Sequence, residues 1–349
     1  MTLSQSSWVE RYGPDYQQAL SILSEGSVRR KFDPYLDIDW DAPELALDDN
    51  DPRWVLSSEL DPLGATEWYR SQSPRRQIEI GKWRTANVVK VGAAFESVLI
   101  RGLMQYVMKL RNGSPEFRYC LHEMTEECNH IQMFQELINR IGVDVPGMRP
   151  AFRRLSPLIG VAGGYAHIIL FLGILGGEEP IDHYQKAMIR QGETLPPLVE
   201  RVMQIHIAEE SRHISFAEEF LRVHIPNLGP VDKALCGLAF PLAMRWLVGE
   251  IMVPPAEFAE RFDIPAEVMD EAFWDSPVSR RILAGYFGEM RTLARELGLM
   301  NPLTRALWEA LGIDGPTTRY RGEPQRRNPA VAAATQLPVV GSVVGWLAA

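Results

Sequence analysis

The chain has little that would mark it for the cell exterior, for nucleic acid or for a membrane. Three of its 349 residues are cysteines, Cys120, Cys128 and Cys236, and they form neither a metal-finger spacing nor a disulfide framework. That usage fits a reducing cytoplasm. Positive charge is scarce: 36 Lys and Arg stand against 45 Asp and Glu, and the net charge of −9 argues against a general phosphate-binding surface, so no nucleic-acid partner is expected. The N-terminus lacks the charged-then-apolar pattern of a secretory signal. Residues 328–349 carry no charge, but they are Ala-rich and interrupted by Thr335, Gln336, Pro338 and two glycines. A membrane span needs about 20 strongly apolar residues, so a docked or disordered tail is expected there instead. Nothing alternates with period two over a useful length, which leaves almost no room for sheet.

What is present is an ordinary globular composition, 46% hydrophobic and 23% charged, on a chain long enough for one large core with appended helices. Within it, one chemical signature occurs twice. Glu127-Cys128-Asn129-His130 and Glu210-Ser211-Arg212-His213 are both Glu-x-x-His. On a helix this spacing puts a carboxylate and an imidazole on one face. The second copy is extended by His206, so that His206, Glu210 and His213 fall within roughly 60° around the axis. Their neighbours Ile205, Ile207, Ala208 and Ile214 are apolar. A carboxylate and two imidazoles beside a core need partners, and a metal ion is a common one.

Two further carboxylates interrupt apolar runs. Glu96 is the only charged residue in VGAAFESVLI, and Glu178 and Glu179 end HIILFLGILGG. Glu96 precedes Glu127 by 31 residues, and Glu179 precedes Glu210 by the same 31. Two helical hairpins with matched arms would bring both pairs to one level of a bundle, which selects Glu179 over Glu178. Paired Glu-x-x-His motifs with one Glu from each of two other helices are the ligand set of carboxylate-bridged di-iron bundles. A single Glu-x-x-His is usually a solvated pair; two copies, each with an upstream Glu, are not readily explained so. The other histidines, His122, His167, His183 and His224, are assigned structural or surface roles, and Cys128 is assigned to packing.

With the residues in view, Glu96, Glu127-x-x-His130, Glu179 and His206-x-x-x-Glu210-x-x-His213 resemble the seven-ligand pattern of the AurF-like di-iron N-oxygenases, the family of p-aminobenzoate N-oxygenase and related arylamine oxygenases. The third histidine, here His206, is what separates that pattern from the ordinary ferritin-like set. The motifs carrying the resemblance lie between residues 75 and 225. The resemblance implies an all-α, ferritin-like four-helix bundle around two Fe ions, with Mn as the alternative metal. It also implies O₂ activation and oxygenation of a small, aromatic substrate, with N-oxygenation of an arylamine as the first choice. On it, Glu127 and Glu210 bridge the metals. Other di-iron oxidases and a non-catalytic iron-binding protein are the competing classes; a radical enzyme would use one of Tyr106, Tyr119, Tyr165 and Tyr184.

Punctuation divides the chain into an N-terminal wrapping segment (1–72), a helical di-iron domain with C-terminal helices (73–312) and a tail (313–349). A helix is expected from Arg75 to Arg111, stopping at Asn112-Gly113. The next opens at Ser114-Pro115 and ends near Gly142. A third runs from Ser156 past Glu179 and is bent or broken by Pro180. A fourth runs from Pro197 to Pro226. Beyond residue 230, helices are expected to break at Pro241, Pro254-Pro255, Pro265 and Pro302, and to pack on the bundle or form a homodimer surface. Residues 37–51 hold seven acids and no base and read as a solvated loop. Gly160 to Gly164 lacks a phosphate-loop continuation and reads as close helix packing. Asp182, near Glu179, is a candidate partner for a ligand histidine. No electron-donor motif is present, so an external donor is expected. For an acidic arylamine a cation should face the pocket, and the turn before Glu96 offers Lys90 alone.

Overall fold

The computed structural model of the chain describes residues 14–192 and 194–316, and among them it contains helices and no strand. The expectations for the tail beyond residue 316 lie outside the described residues. Proline opens most of the helices, where its fixed φ suits the first turn and its missing N–H costs nothing. The long elements are α1 (Pro14–Arg29), α2 (Pro74–Val107), α3 (Pro115–Ile141), α4 (Pro150–Gly163), α5 (His167–Arg190), α6 (Pro197–His224) and α7 (Pro230–Met252). Shorter helices follow: α8 (Ala256–Arg261), α9 (Ala266–Asp270), α10 (Pro277–Gly285), α11 (Gly288–Glu296) and α12 (Pro302–Ala310). Helix α2 pairs with α3, and α5 with α6; contacts of α3 with α6 and of α2 with α5 close the square. This is the ferritin-like four-helix bundle. Helix α4 packs on α2 and α5, and α7 covers α5.

Several boundaries differ from the sequence expectation. Helix α2 stops at Val107, and the chain turns through Gly113 at φ 83°. Ser114 sits at the N-cap of α3, but its hydroxyl turns to the Glu116 carboxylate and caps no backbone N–H. Gly142, at φ 71°, ends α3 as expected. The expected third helix is two: α4 starts at Pro150, and the chain breaks at residues 164–166 before α5. Pro180 lies inside α5 and Pro241 inside α7, and neither ends its helix. Each removes one backbone donor, a loss that packing on both sides of the helix outweighs. The Gly160–Gly164 stretch does serve close packing. A Cβ at Gly160 would lie 2.6 Å from the Val98 carbonyl oxygen, so α4 could not approach α2 with a larger residue there.

The segment between α1 and α2 crosses the bundle with short 3₁₀ turns at Pro43–Leu45 and Pro52–Trp54. Its acidic run is held by buried Trp40 and Trp54, whose indole N–H groups donate to the carbonyls of Pro34 and Asp48. A Cβ at Gly81 would collide with the Trp54 carbonyl, so the backbone of this segment lies directly on α2. Helix α7 continues into α8 as a stretch, Pro230–Arg261, that is long and apolar enough to cross a membrane by composition; most of it is buried against the rest of the fold.

Two apolar clusters fill the bundle, and the polar residues of interest lie between them. Along α3, Tyr119, Cys120 and Met124 belong to one cluster and Met133, Phe134 and Leu137 to the other. Along α6, Val202 and Ile205 belong to the second and Ile214 and Phe216 to the first. Glu127, His130, Glu210 and His213 occupy the gap.

One buried ion pair ties the crossing segment to this frame. Arg84 Nε donates to Asp61 Oδ2 at 2.5 Å and Nη1 donates to the Met252 carbonyl, with both side chains almost fully buried. Arg84→Met would leave Asp61 buried and uncompensated, and is expected to cost about 3–5 kcal/mol. Urea unfolding checks this; a loss below about 1 kcal/mol would mean that the pair is solvated.

Candidate metal centre

Four helices contribute to one buried cluster: Glu96 from α2, Glu127 and His130 from α3, Glu178 from α5, and His206, Glu210 and His213 from α6. Their donor atoms fall into two groups. Glu96, His130, His206 and Glu210 form one, Glu127, Glu178, Glu210 and His213 the other, and within each the donor atoms lie within 4.8 Å of one another. Glu210 belongs to both. Its Oε1 is 3.3 Å from His130 Nδ1 and from His206 Nε2, and its Oε2 is 3.4 Å from His213 Nδ1. Glu127 spans the groups in the same way, with Oε2 2.9 Å from His130 Nδ1 and Oε1 2.7 Å from His213 Nδ1. These two carboxylates thus have the placement of bridging ligands. Glu127 Oε1, both oxygens of Glu178 and Glu210, and His213 Nδ1 make no hydrogen bond. Buried donors and acceptors left this way are expensive, and a pair of cations would satisfy them.

The imidazoles are oriented for that role. Each turns one ring nitrogen toward the cluster and uses the other to donate outward: His130 Nε2 to Glu209 Oε2 at 2.9 Å, His213 Nε2 to Glu126 Oε2 at 2.8 Å, and His206 Nδ1 to Gln185 Oε1 at 2.9 Å. Such outer hydrogen bonds fix the tautomer and ring angle of a metal-binding histidine. The two Glu partners are exchanged between helices: Glu209 of α6 holds the histidine of α3, and Glu126 of α3 holds the histidine of α6. Arg212 in turn donates to Glu126 at 2.8 Å and lies 3.6 Å from Glu209.

Protonation reflects the crowding of acids. Burial, then Glu127, pushes the Glu96 carboxyl well above the usual range; burial, then Glu210, does the same to Glu178. Burial and Glu210 also push Glu127 up, but His213 and His130 outweigh them and hold it at about 2. Burial depresses all three histidines. It wins at His206, which sits at about 4, and loses at His130 and His213, where the surrounding carboxylates raise the imidazoles well above their ordinary value. Without metal, Glu96, Glu178, His130 and His213 therefore hold their protons to higher pH than such groups ordinarily do. Metal loading must displace these protons, so protons should be released, and affinity should fall as pH is lowered. Calorimetric titration with Fe(II) in buffers of different ionisation heat measures this; an enthalpy independent of buffer would refute it.

Six of the seven residues expected from the sequence meet here; Glu179 does not join the cluster. It is buried on α5, and Glu178 stands in the place that the spacing argument gave to it. The hairpins are not matched. Glu96 lies 11 residues before the end of α2 and Glu127 12 after the start of α3, whereas Glu178 lies 12 before the end of α5 and Glu210 13 after the start of α6. Glu178→Gln should lose iron from one group and Glu179→Gln should retain it; the reverse iron contents would restore the spacing argument.

Other expectations are corrected as well. Asp182 bonds Lys186 at 2.6 Å, and Gln185 holds the histidine instead. Lys90 reaches out to the Val145 carbonyl, and Cys128 is exposed. Glu126, Glu209 and Glu123 were missed. A signal for the first two was legible, because both motifs read Glu-Glu-x-x-His. Glu123, fully buried and held protonated chiefly by burial, stands to Glu127 and His130 as His206 stands to Glu210 and His213.

Comparison with known proteins agrees with this geometry. Uncharacterized proteins of Mycobacterium bovis and Mycobacterium tuberculosis are 55% identical to the chain over 320 residues, covering 92% of it and 94% of their own length. No solved structure matches the chain. Residues 13–298 match the family model described as P-aminobenzoate N-oxygenase AurF, which spans the whole bundle and every residue of the cluster, and the chain belongs to that family.

Proposed function

We propose that the chain is a non-haem di-iron oxygenase, and that Glu96, Glu127, His130, Glu178, His206, Glu210 and His213 hold the metals. One observation carries the reading. Glu96, Glu178, His206 and Glu210 belong at once to the cluster and to the wall of an apolar cavity of about 470 Å³. Oxygenation of an organic molecule needs metals beside a dry pocket of this kind. An iron store needs a polar route for a hydrated cation, and the wall here is mostly Val, Leu, Ile, Phe and Gly.

The donors suit iron, with manganese as the alternative, since carboxylates and imidazoles are the groups that bind these ions and no thiol joins the cluster. When bound, the metals would supply O₂ activation, in which one oxygen atom goes to the substrate and the other leaves as water with two electrons and two protons. The protein's own part is positional. Glu127 and Glu210, whose oxygens reach the histidines of both donor groups, would hold both metals. Glu209, Glu126 and Gln185 fix the three imidazoles, and the apolar wall excludes water. Electrons come from an external donor. We place the protein in the cytoplasm, as its unpaired thiols suggest, and propose a homodimer through exposed apolar residues of the C-terminal helices such as Val231, Leu235 and Leu303. N-oxygenation of an arylamine is the first reaction to test, on the strength of the family.

Iron-replete protein should contain about two iron ions per chain. Reduced protein given ¹⁸O₂ and a panel of organic substrates that includes arylamines should place label in a product. Labelled nitroso or nitro compounds would establish N-oxygenation, and label on carbon a different oxygenase. O₂ consumption that ends in ferric mineral with no labelled product would overturn the proposal.

A further inference from the structure

The shape of the cavity contains information that the ligands do not. Its wall includes Arg84 and Leu99 on α2, which are about 22 Å apart at 1.5 Å per residue. Its volume of about 470 Å³ is roughly three times that of the ~150 Å³ apolar cavity that takes one benzene. Spread over such a length, this volume makes a tunnel. Glu178 lies about midway along the α5 side, some 13 Å from Ile169 at one end and some 15 Å from Met188 at the other.

The ends differ. Ala162, Ala166, Ile169 and Trp246 line the cavity and are also exposed, so the mouth lies between α4, α5 and α7, and it carries no charge. Apolar surface continues outward from it at Leu158, Val161 and Leu242. At the far end stand the two cations of the wall, Arg53 and Arg84, which pair with Asp51 and Asp61, while Arg84 Nη2 is buried and makes no hydrogen bond. Arg84 is also about 18 Å along α2 from Glu96, beyond the reach of a one-ring acid whose amine sits at the metals.

We infer that the cavity takes an elongated aliphatic molecule, drawn in through the apolar mouth so that the middle of the chain lies beside Glu96, Glu178 and Glu210. In calling this molecule a substrate the inference rests on the oxygenase reading; the binding itself does not. The interior wall is kept open by small residues at the place where the chain must pass. A Cβ at Gly173 would meet nothing within 4 Å, and one at Gly177 would only touch the Phe95 ring. Alanine in these helical positions would be favoured by propensity, so the space has been kept at a cost of about 1 kcal/mol each.

Isothermal titration of the metal-free and iron-loaded full chain with octanol, decanol and dodecanol tests this, with p-aminobenzoate as the comparator. Dissociation constants should tighten about fourfold per added methylene, and p-aminobenzoate should bind least. Gly173→Phe, which points into open space, should weaken dodecanol binding by more than about tenfold, the loss of two methylenes of contact. Gly173→Leu should weaken dodecanol more than octanol, while thermal midpoint and iron content stay unchanged in at least this milder variant. Tighter binding of p-aminobenzoate than of any alkanol, or alkanol binding indifferent to both variants, would overturn the inference. Iron content is read on the same samples. Alkanol binding by a chain that takes up no iron would sink the oxygenase reading and leave the tunnel. Labelled arylamine products from a chain that binds no alkanol would do the reverse.

Discussion

A band of acids and imidazoles crosses the middle of this bundle, and the rest of the structure is arranged to make that band tolerable. Glu123, Glu126, Glu127, Glu209, Glu210, His130 and His213 are all nearly or fully buried. Ionised carboxylates so close together repel, and burial penalises each charge again. The chain manages the conflict in layers. Some acids hold their protons well above the usual carboxyl range, as Glu96, Glu123 and Glu178 do. Others pair with imidazolium. The outermost, Glu126 and Glu209, are compensated by Arg212 and by the Phe32 backbone N–H. Glu127 Oε1 and both oxygens of Glu123, Glu178 and Glu210 are left without hydrogen bonds, and of these the oxygens of Glu127, Glu178 and Glu210 are ones that a cation pair would reach.

The exchange of Glu126 and Glu209 between helices gives this band mechanical sense. Because each histidine is oriented from the opposite helix, the separation of α3 and α6 fixes both ring angles at once. A shift of one helix would misplace both imidazoles and take Glu126 away from Arg212. Apolar clusters above and below the band hold that separation: Phe216 packs at a tilt against Tyr119 on one side, and Phe134 lies against His206 on the other. Packing thus sets the geometry of the donor cluster, and that geometry does not have to be stored in strained backbone.

Much of this could be read from the sequence because helical periodicity converts spacing into direction. Glu127 and His130, or His206, Glu210 and His213, must share a stripe whatever the loops do, and Glu96 had no reason to interrupt an apolar run except a buried role. What spacing could not resolve was anything that depends on where one helix ends and the next begins. One extra residue in each arm of the second hairpin, offset by a connection one residue shorter, moved the choice from Glu179 to Glu178. Partners across helices, such as Gln185 for His206, were equally out of reach, since no local rule links positions 21 residues apart. Pro180 and Pro241 misled in the opposite sense. Local propensity says that they end helices, but packing on either side of α5 and α7 carries the backbone through.

The cavity and the acid band impose opposite demands on the same four helices. The band needs donors packed closely enough to satisfy one another; the cavity needs a wall with something left out. Helix α5 meets both by its sequence of sizes. Gly173 and Gly177 leave space on the face that turns to the cavity, Glu178 follows at once as a donor, and Leu172 and Leu175 fill the core behind. A run of glycines would weaken an isolated helix, so α5 depends on its covering by α7, whose apolar length is mostly buried against the rest of the fold. The C-terminal helices are therefore part of the site's construction: they let α5 carry the glycines that make room beside the carboxylates, and Trp246 of α7 helps to line the entrance they create.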